Sequence, residues 1–153
     1  VCGGYQMLGQ SIADPNGLDG PAGKTEGLGL LEVSTVMGAD KTLREVTAVD
    51  AGSGLTVEGY EIHLGQTEGS DCQRPFGYVE QQPEGACSED GRVQGSYLHG
   101  LFREDAFRRS FLARLGAPAS DLSYDKSLDD VLDRLADHLE EHLDIDALFA
   151  LAR

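Results

Sequence analysis

The chain has 153 residues, of which 40% are apolar and 25% charged, enough for one buried core and unlike a disordered composition. Twelve Lys and Arg stand against 27 Asp and Glu, and the resulting net charge of −15 repels phosphate backbones and anionic bilayers, which argues against nucleic acid and membranes as partners. No apolar run approaches the roughly 20 residues that cross a bilayer, and no signal peptide is visible. The three cysteines are widely spaced and form no CxxC pair, so neither a disulfide framework nor a structural zinc site is expected. A reducing cytoplasm is the expected compartment. The chain opens on Val1-Cys2 without an initiator Met and without the strand expected before such a turn, which predicts a fragment of a longer protein or an incomplete gene.

In chain order, Gly3-Gly4 followed by Tyr5-Gln6-Met7-Leu8-Gly9 reads as a tight turn entering a short helix. Residues 14–29, rich in Gly, Pro and Asp, read as loop. Runs at 30–37, 43–49 and 55–63 carry β-branched residues, end at Gly or Asp, and predict strands. Two more are predicted at 76–81 and 92–98, with an acidic, Gly-containing connection at 83–91. Beyond His99 the apolar period lengthens from two to about 3.6. Helices are predicted at 105–115, stopped by Gly116 and Pro118, and at 127–143, with Leu128, Val131, Leu132, Leu135, Leu139 and Leu143 in one stripe. A last short helix is predicted at 144–151. Strands followed by helices predict an α/β domain.

Cys2-Gly3-Gly4 fits a nucleophile elbow, in which a strand delivers the nucleophile to a sharp turn that opens a helix. Small residues after the cysteine would allow a sharp bend and close packing. A helix start favours negative charge, and the Gly3 N–H would point to where an oxyanion forms. Three residues are a short motif, equally compatible with a structural cysteine. Gly95-Ser96-Tyr97-Leu98-His99-Gly100-Leu101-Phe102 adds the second feature: an alternating strand ends on His99, and Gly100 lets the chain turn. A thiol and an imidazole brought together are the usual pair for covalent acyl chemistry.

These segments, with Gly27-Leu28-Gly29-Leu30-Leu31 and Gly59-Tyr60-Glu61-Ile62-His63-Leu64-Gly65 between them, resemble in order the class I glutamine amidotransferase domains of the cobyric acid and cobyrinic acid diamide synthases. The resemblance runs through nearly the whole chain and leans to the cobyric acid branch at the 59–65 and 97–102 motifs. It implies the C-terminal part of a flavodoxin-like, three-layer domain spanning residues 1–153, with its first half and an upstream ATP-dependent synthetase domain missing. Cys2 would attack the side-chain amide of glutamine, Gly3 would help hold the oxyanion, and His99 would carry the proton from thiol to departing ammonia. Gln6 would lie near the glutamine site, and Tyr60, Glu61 and His63 would face the cleft. Ammonia would pass to the synthetase domain, where ATP and Mg2+ activate carboxylates of a corrin; no cofactor or metal is expected in this segment, which by itself would be inactive. Relatives with a full triad carry a glutamate two residues after the histidine. Here that position is Leu101, so Glu61 or a backbone carbonyl is left to orient His99.

Two patterns mislead. In Gly20-Pro21-Ala22-Gly23-Lys24-Thr25 a phosphate loop would need Gly at position 18, which is Leu18, and no strand precedes it. His138-Leu139-Glu140-Glu141-His142 matches a zinc-peptidase string, but on so charged a helix it reads as a solvated face. Cys72 and Cys87 lie in polar, loop-like sequence and read as incidental thiols.

Overall fold

The computed structural model describes residues 1–118 and 121–152, with the side chain of residue 40 outside that description. Helix α1 (Gly3–Leu8) leads into β1 (Ser11–Asp14) and β2 (Gly23–Glu26). Two long strands follow, β3 (Val33–Asp50) and β4 (Thr56–Gly69), then the short β5 (Gly77–Val79), β6 (Gln82–Glu84), β7 (Ala86–Cys87), β8 (Gln94–Gly95) and β9 (Leu98–His99). The chain ends in α2 (Asp105–Arg114), α3 (Tyr124–His142) and α4 (Ile145–Leu151). The main sheet runs β2-β1-β3-β4-β9, with β5 and β6 joined through β3. β1 and β3 are parallel, and the other pairs are antiparallel. The α/β class holds, as a mixed sheet finished by helices.

The runs predicted separately at 30–37 and 43–49 are one strand. β3 pairs with β4 along nearly its whole length, with a register shift between Val36 and Lys41. Because side chains alternate faces, extra residues on one strand change which of them point inward. Before the irregularity Val33, Thr35 and Met37 are buried; after it Val46, Ala48 and Asp50 are. The same strand therefore feeds two clusters. Val46 and Ala48 pack with Val57, Phe76, Val79, Leu98, Leu101 and Phe107, while Val33 packs with Tyr5, Leu31, Ala86 and Tyr97.

The region read as loop contains β2, an edge strand paired with β1 from Gly23 to Glu26. All four of its residues are exposed, so no hydrophobic alternation announced it. Lys24 and Thr25 thus sit on a strand, not at the start of a phosphate-cradling helix. The helix boundaries fall close to expectation. α2 buries Phe107 completely, whereas no residue of α3 or α4 among those described is buried. Cys72 and Cys87 are more than loop thiols: each is half-buried against one of the clusters, and burial pushes both thiols up.

Candidate active site

The site begins at a strained residue. Cys2 has φ 55° and ψ −124°, outside the regions a side chain favours, at a cost of about 1–3 kcal/mol. Its backbone N–H donates to the Ser96 carbonyl at 2.9 Å, and its thiol to the Ile62 carbonyl at 3.2 Å. The elbow is thereby pinned between β4 and the segment that precedes His99. The Gly3 N–H donates to no acceptor among the described residues. A Cβ added at Gly3 or Gly4 would meet open space, so the expected tight packing at those glycines is absent. The close approaches lie elsewhere. A Cβ at Gly95 would collide with the ring of Tyr5 behind the elbow, and one at Gly59 with the carbonyl of His99.

Tyr60 lies opposite His99 in the antiparallel pairing, and the rings stack with centroids 4.9 Å apart and planes 12° apart. The Nε2 of His99 is buried without a hydrogen-bond partner among the described residues. A buried orphan of this kind costs about 1–3 kcal/mol and calls for an explanation, of which proton transfer is one. A hollow of about 400 Å³ opens beside it, lined in part by Val1, Leu98, Phe102 and Tyr124. Cys2 and His99 thus flank the same stretch of β4, with the thiol resting on Ile62 rather than on the imidazole.

Glu61 does not orient His99. It pairs with Leu98, so it occupies the opposite face from Tyr60 and His99. Its buried carboxylate accepts from Arg44 Nε at 2.7 Å, an ion pair that holds the arginine charge and raises the Arg44 pKa. No backbone carbonyl accepts from His99 among the described residues either; stacking on Tyr60 sets its ring plane. Gln6 is buried at the start of α1, and its amide donates to the Leu64 carbonyl at 3.0 Å and to the Tyr97 hydroxyl at 3.2 Å. Tyr97 Oη continues to Thr67 Oγ1 at 2.5 Å, and Thr67 to Thr35 at 2.7 Å. His63 stacks on Tyr97 at 3.8 Å and donates from Nδ1 to the Gly65 carbonyl at 3.2 Å. Burial lowers the His63 pKa and favours its neutral ring. Gln6 and His63 therefore meet through Tyr97, a residue the sequence reading left without a role.

A match to the family model for the CobB/CobQ-like glutamine amidotransferase domain covers residues 1–107, elbow and His99 included. The chain belongs to this family. The cobyric acid synthase of Cereibacter sphaeroides is 61% identical over 153 residues, all of this chain and 32% of that protein. Those of Rhodobacter capsulatus and Bradyrhizobium diazoefficiens are 63% and 58% identical over the same span, again 32% of each. The chain thus spans about a third of the length of the curated relatives it matches. The amidotransferase family match ends within α2, and the relatives align on through α3 and α4.

Sequence reasoning missed two further residues here. Ser96 receives the Cys2 N–H, and the buried carboxylate of Glu84 holds Ser96 and Tyr97. Glu84 lay in a stretch whose acidic, Gly-containing composition reads as solvated connection, so nothing local signalled its burial. No helix among the described residues is long and apolar enough to cross a membrane.

Proposed function

We propose that Cys2 and His99 form the glutaminase centre of a cobyric acid synthase. The observation that carries this reading is that the strained Cys2 elbow rests its thiol on Ile62 while His99, its buried Nε2 without a partner among the described residues, stacks on Tyr60 two residues earlier in the same strand. The thiol gives its proton to His99, and its sulfur attacks the δ-carbon of the glutamine side-chain amide. A C–S bond forms while the carbonyl electrons move to oxygen, towards the unengaged Gly3 N–H. The oxyanion collapses, the C–N bond breaks, and the protonated His99 delivers its proton to the leaving nitrogen. Water then splits the thioester to glutamate and regenerates the thiol. Gln6, held through Leu64 and Tyr97, frames the glutamine side of the elbow.

That the relatives are cobyric acid synthases favours cobyric acid synthesis over diamide formation. On that reading ammonia passes to an ATP- and Mg2+-dependent synthetase portion of the longer protein, which amidates corrin carboxylates in the cytoplasm. The phosphate-loop-like string at 20–25 does not fit a nucleotide phosphate, because Lys24 and Thr25 lie on the exposed edge strand β2 and open no helix.

The test is to treat the full-length protein with a diazo-ketone analogue of glutamine and map the adduct by peptide mass spectrometry. The adduct is expected on Cys2, with slower labelling in His99→Asn. Cys2→Ala should abolish glutamine-dependent amidation and spare synthesis from free ammonia. Labelling that is absent, or spread over Cys72 and Cys87, would sink the catalytic reading and leave a non-catalytic amidotransferase fold.

A further inference from the structure

We infer that Glu84, acting through Ser96, is the positioning residue that keeps the Cys2 elbow and the His99 strand in register. The inference rests on the glutaminase reading above. In the β7–β8 hairpin Ala86 lies opposite Gly95 and Cys87 opposite Gln94. Continued two residues further back in that register, Glu84 would face Tyr97. The ladder stops before that point, at Gly85 with φ 73°. The Glu84 side chain takes over instead: Oε1 accepts from the Tyr97 N–H at 2.6 Å, and Oε2 from the Ser96 hydroxyl at 2.9 Å.

Ser96 then makes the connection to both reacting groups. Its hydroxyl oxygen accepts from the Leu98 N–H at 2.9 Å, one residue before His99. Its carbonyl accepts from the Cys2 N–H at 2.9 Å. Ser96 is 2% exposed and Glu84 8%, so water does not substitute for these bonds. The triad position two residues after His99 is Leu101, and Glu61 faces Arg44 on the other side of β4. Within the described residues, Glu84 is the buried carboxylate that ties the nucleophile's backbone to the histidine's backbone. It touches neither glutamine nor the imidazole, so it positions rather than reacts.

The test uses the full-length protein and measures glutamine hydrolysis for wild type, Glu84→Gln, Ser96→Ala and the double variant. Glutamine in place of Glu84 presents an amide N–H toward the Ser96 hydroxyl proton and breaks one arm of the clamp. The expected result is a fall in kcat on the order of 10- to 100-fold in each single variant, with the glutamine KM held within about twofold. The double variant should lose no more than the more damaging single, because both changes cut the same linkage. Wild-type kcat in either single variant, a loss expressed in KM alone, or independent multiplicative losses would overturn the inference. Should Glu84→Gln fail to fold, Ser96→Ala decides, since it keeps the carboxylate and its bond to Tyr97. A wild-type protein that hydrolyses no glutamine would instead count against the glutaminase reading itself.

Discussion

Glu84 shows what burial does to one carboxyl. Burial pushes it up to about 7 from an ordinary value of 4.5, and the Glu61 charge adds to this. Hydrogen bonds from Tyr97 and Ser96 pull the other way. The folded state therefore holds this proton more tightly than the unfolded chain does. Its stabilising share is complete below pH 4.5 and is lost as pH rises through about 7, on the order of 3 kcal/mol across that window. Urea midpoints measured at intervals across this range should show a shallower decline for Glu84→Gln than for wild type. Identical slopes would mean that Glu84 titrates as it does in the unfolded chain. His99 was legible as a candidate base because a strand, a histidine and a glycine stand together in sequence. Glu84 was not, because its partners are 12 and 13 residues away and its stretch of sequence shows no apolar periodicity.

At the scale of elements, the site depends on how closely α1 approaches β8. The Tyr5 ring, 1% exposed, fills the space above Gly95 and makes an edge contact with Tyr97 at 5.1 Å. Any side chain at Gly95 must push that ring, and with it the elbow, away from the His99 strand. Gly95→Ala is expected to destabilise the protein by about 1–3 kcal/mol and to slow Cys2 labelling by the diazo-ketone. A Gly95→Ala protein with unchanged melting temperature and labelling rate would show that α1 shifts at no cost. The short helix and the terminal helices were readable from local periodicity. The fusion of two predicted strands into β3 was not, since Gly38 and Asp40 look like a stop in sequence and only pairing with β4 carries the chain through. Two-residue strands such as β9 are likewise defined by their partners rather than by their own residues.

For the whole molecule, charge and core pull in opposite directions. A net charge of −15 spread over a chain of this size repels itself in the folded state. The ion pairs counter this only in part, because those of Arg92 and Arg103 are exposed on both sides and worth little each. Raising NaCl from about 0.05 M to about 0.5 M, which shortens the screening length to a few ångströms, should raise the thermal midpoint. A midpoint that falls over this range would show that attractive pairs outweigh the repulsion. α3 adds to the same picture: its amphipathic stripe, expected from sequence, is present, yet Leu128, Val131, Leu132 and Leu135 remain 42–50% exposed.

Composition, the order of four motifs and the change of apolar period were enough to define the α/β class and the helical C-terminus and to nominate Cys2 and His99 singly, because each is a property of neighbouring residues. Contacts between distant parts of the chain decided the rest. Contact across 60 residues set the Cys2 thiol on Ile62, and pairing across 17 turned Glu61 towards Arg44. A ladder that ends at Gly85 buried Glu84 behind the histidine strand. Strand parity, close approach and desolvation arise only when such segments meet, and local sequence carries no record of which face a residue will show.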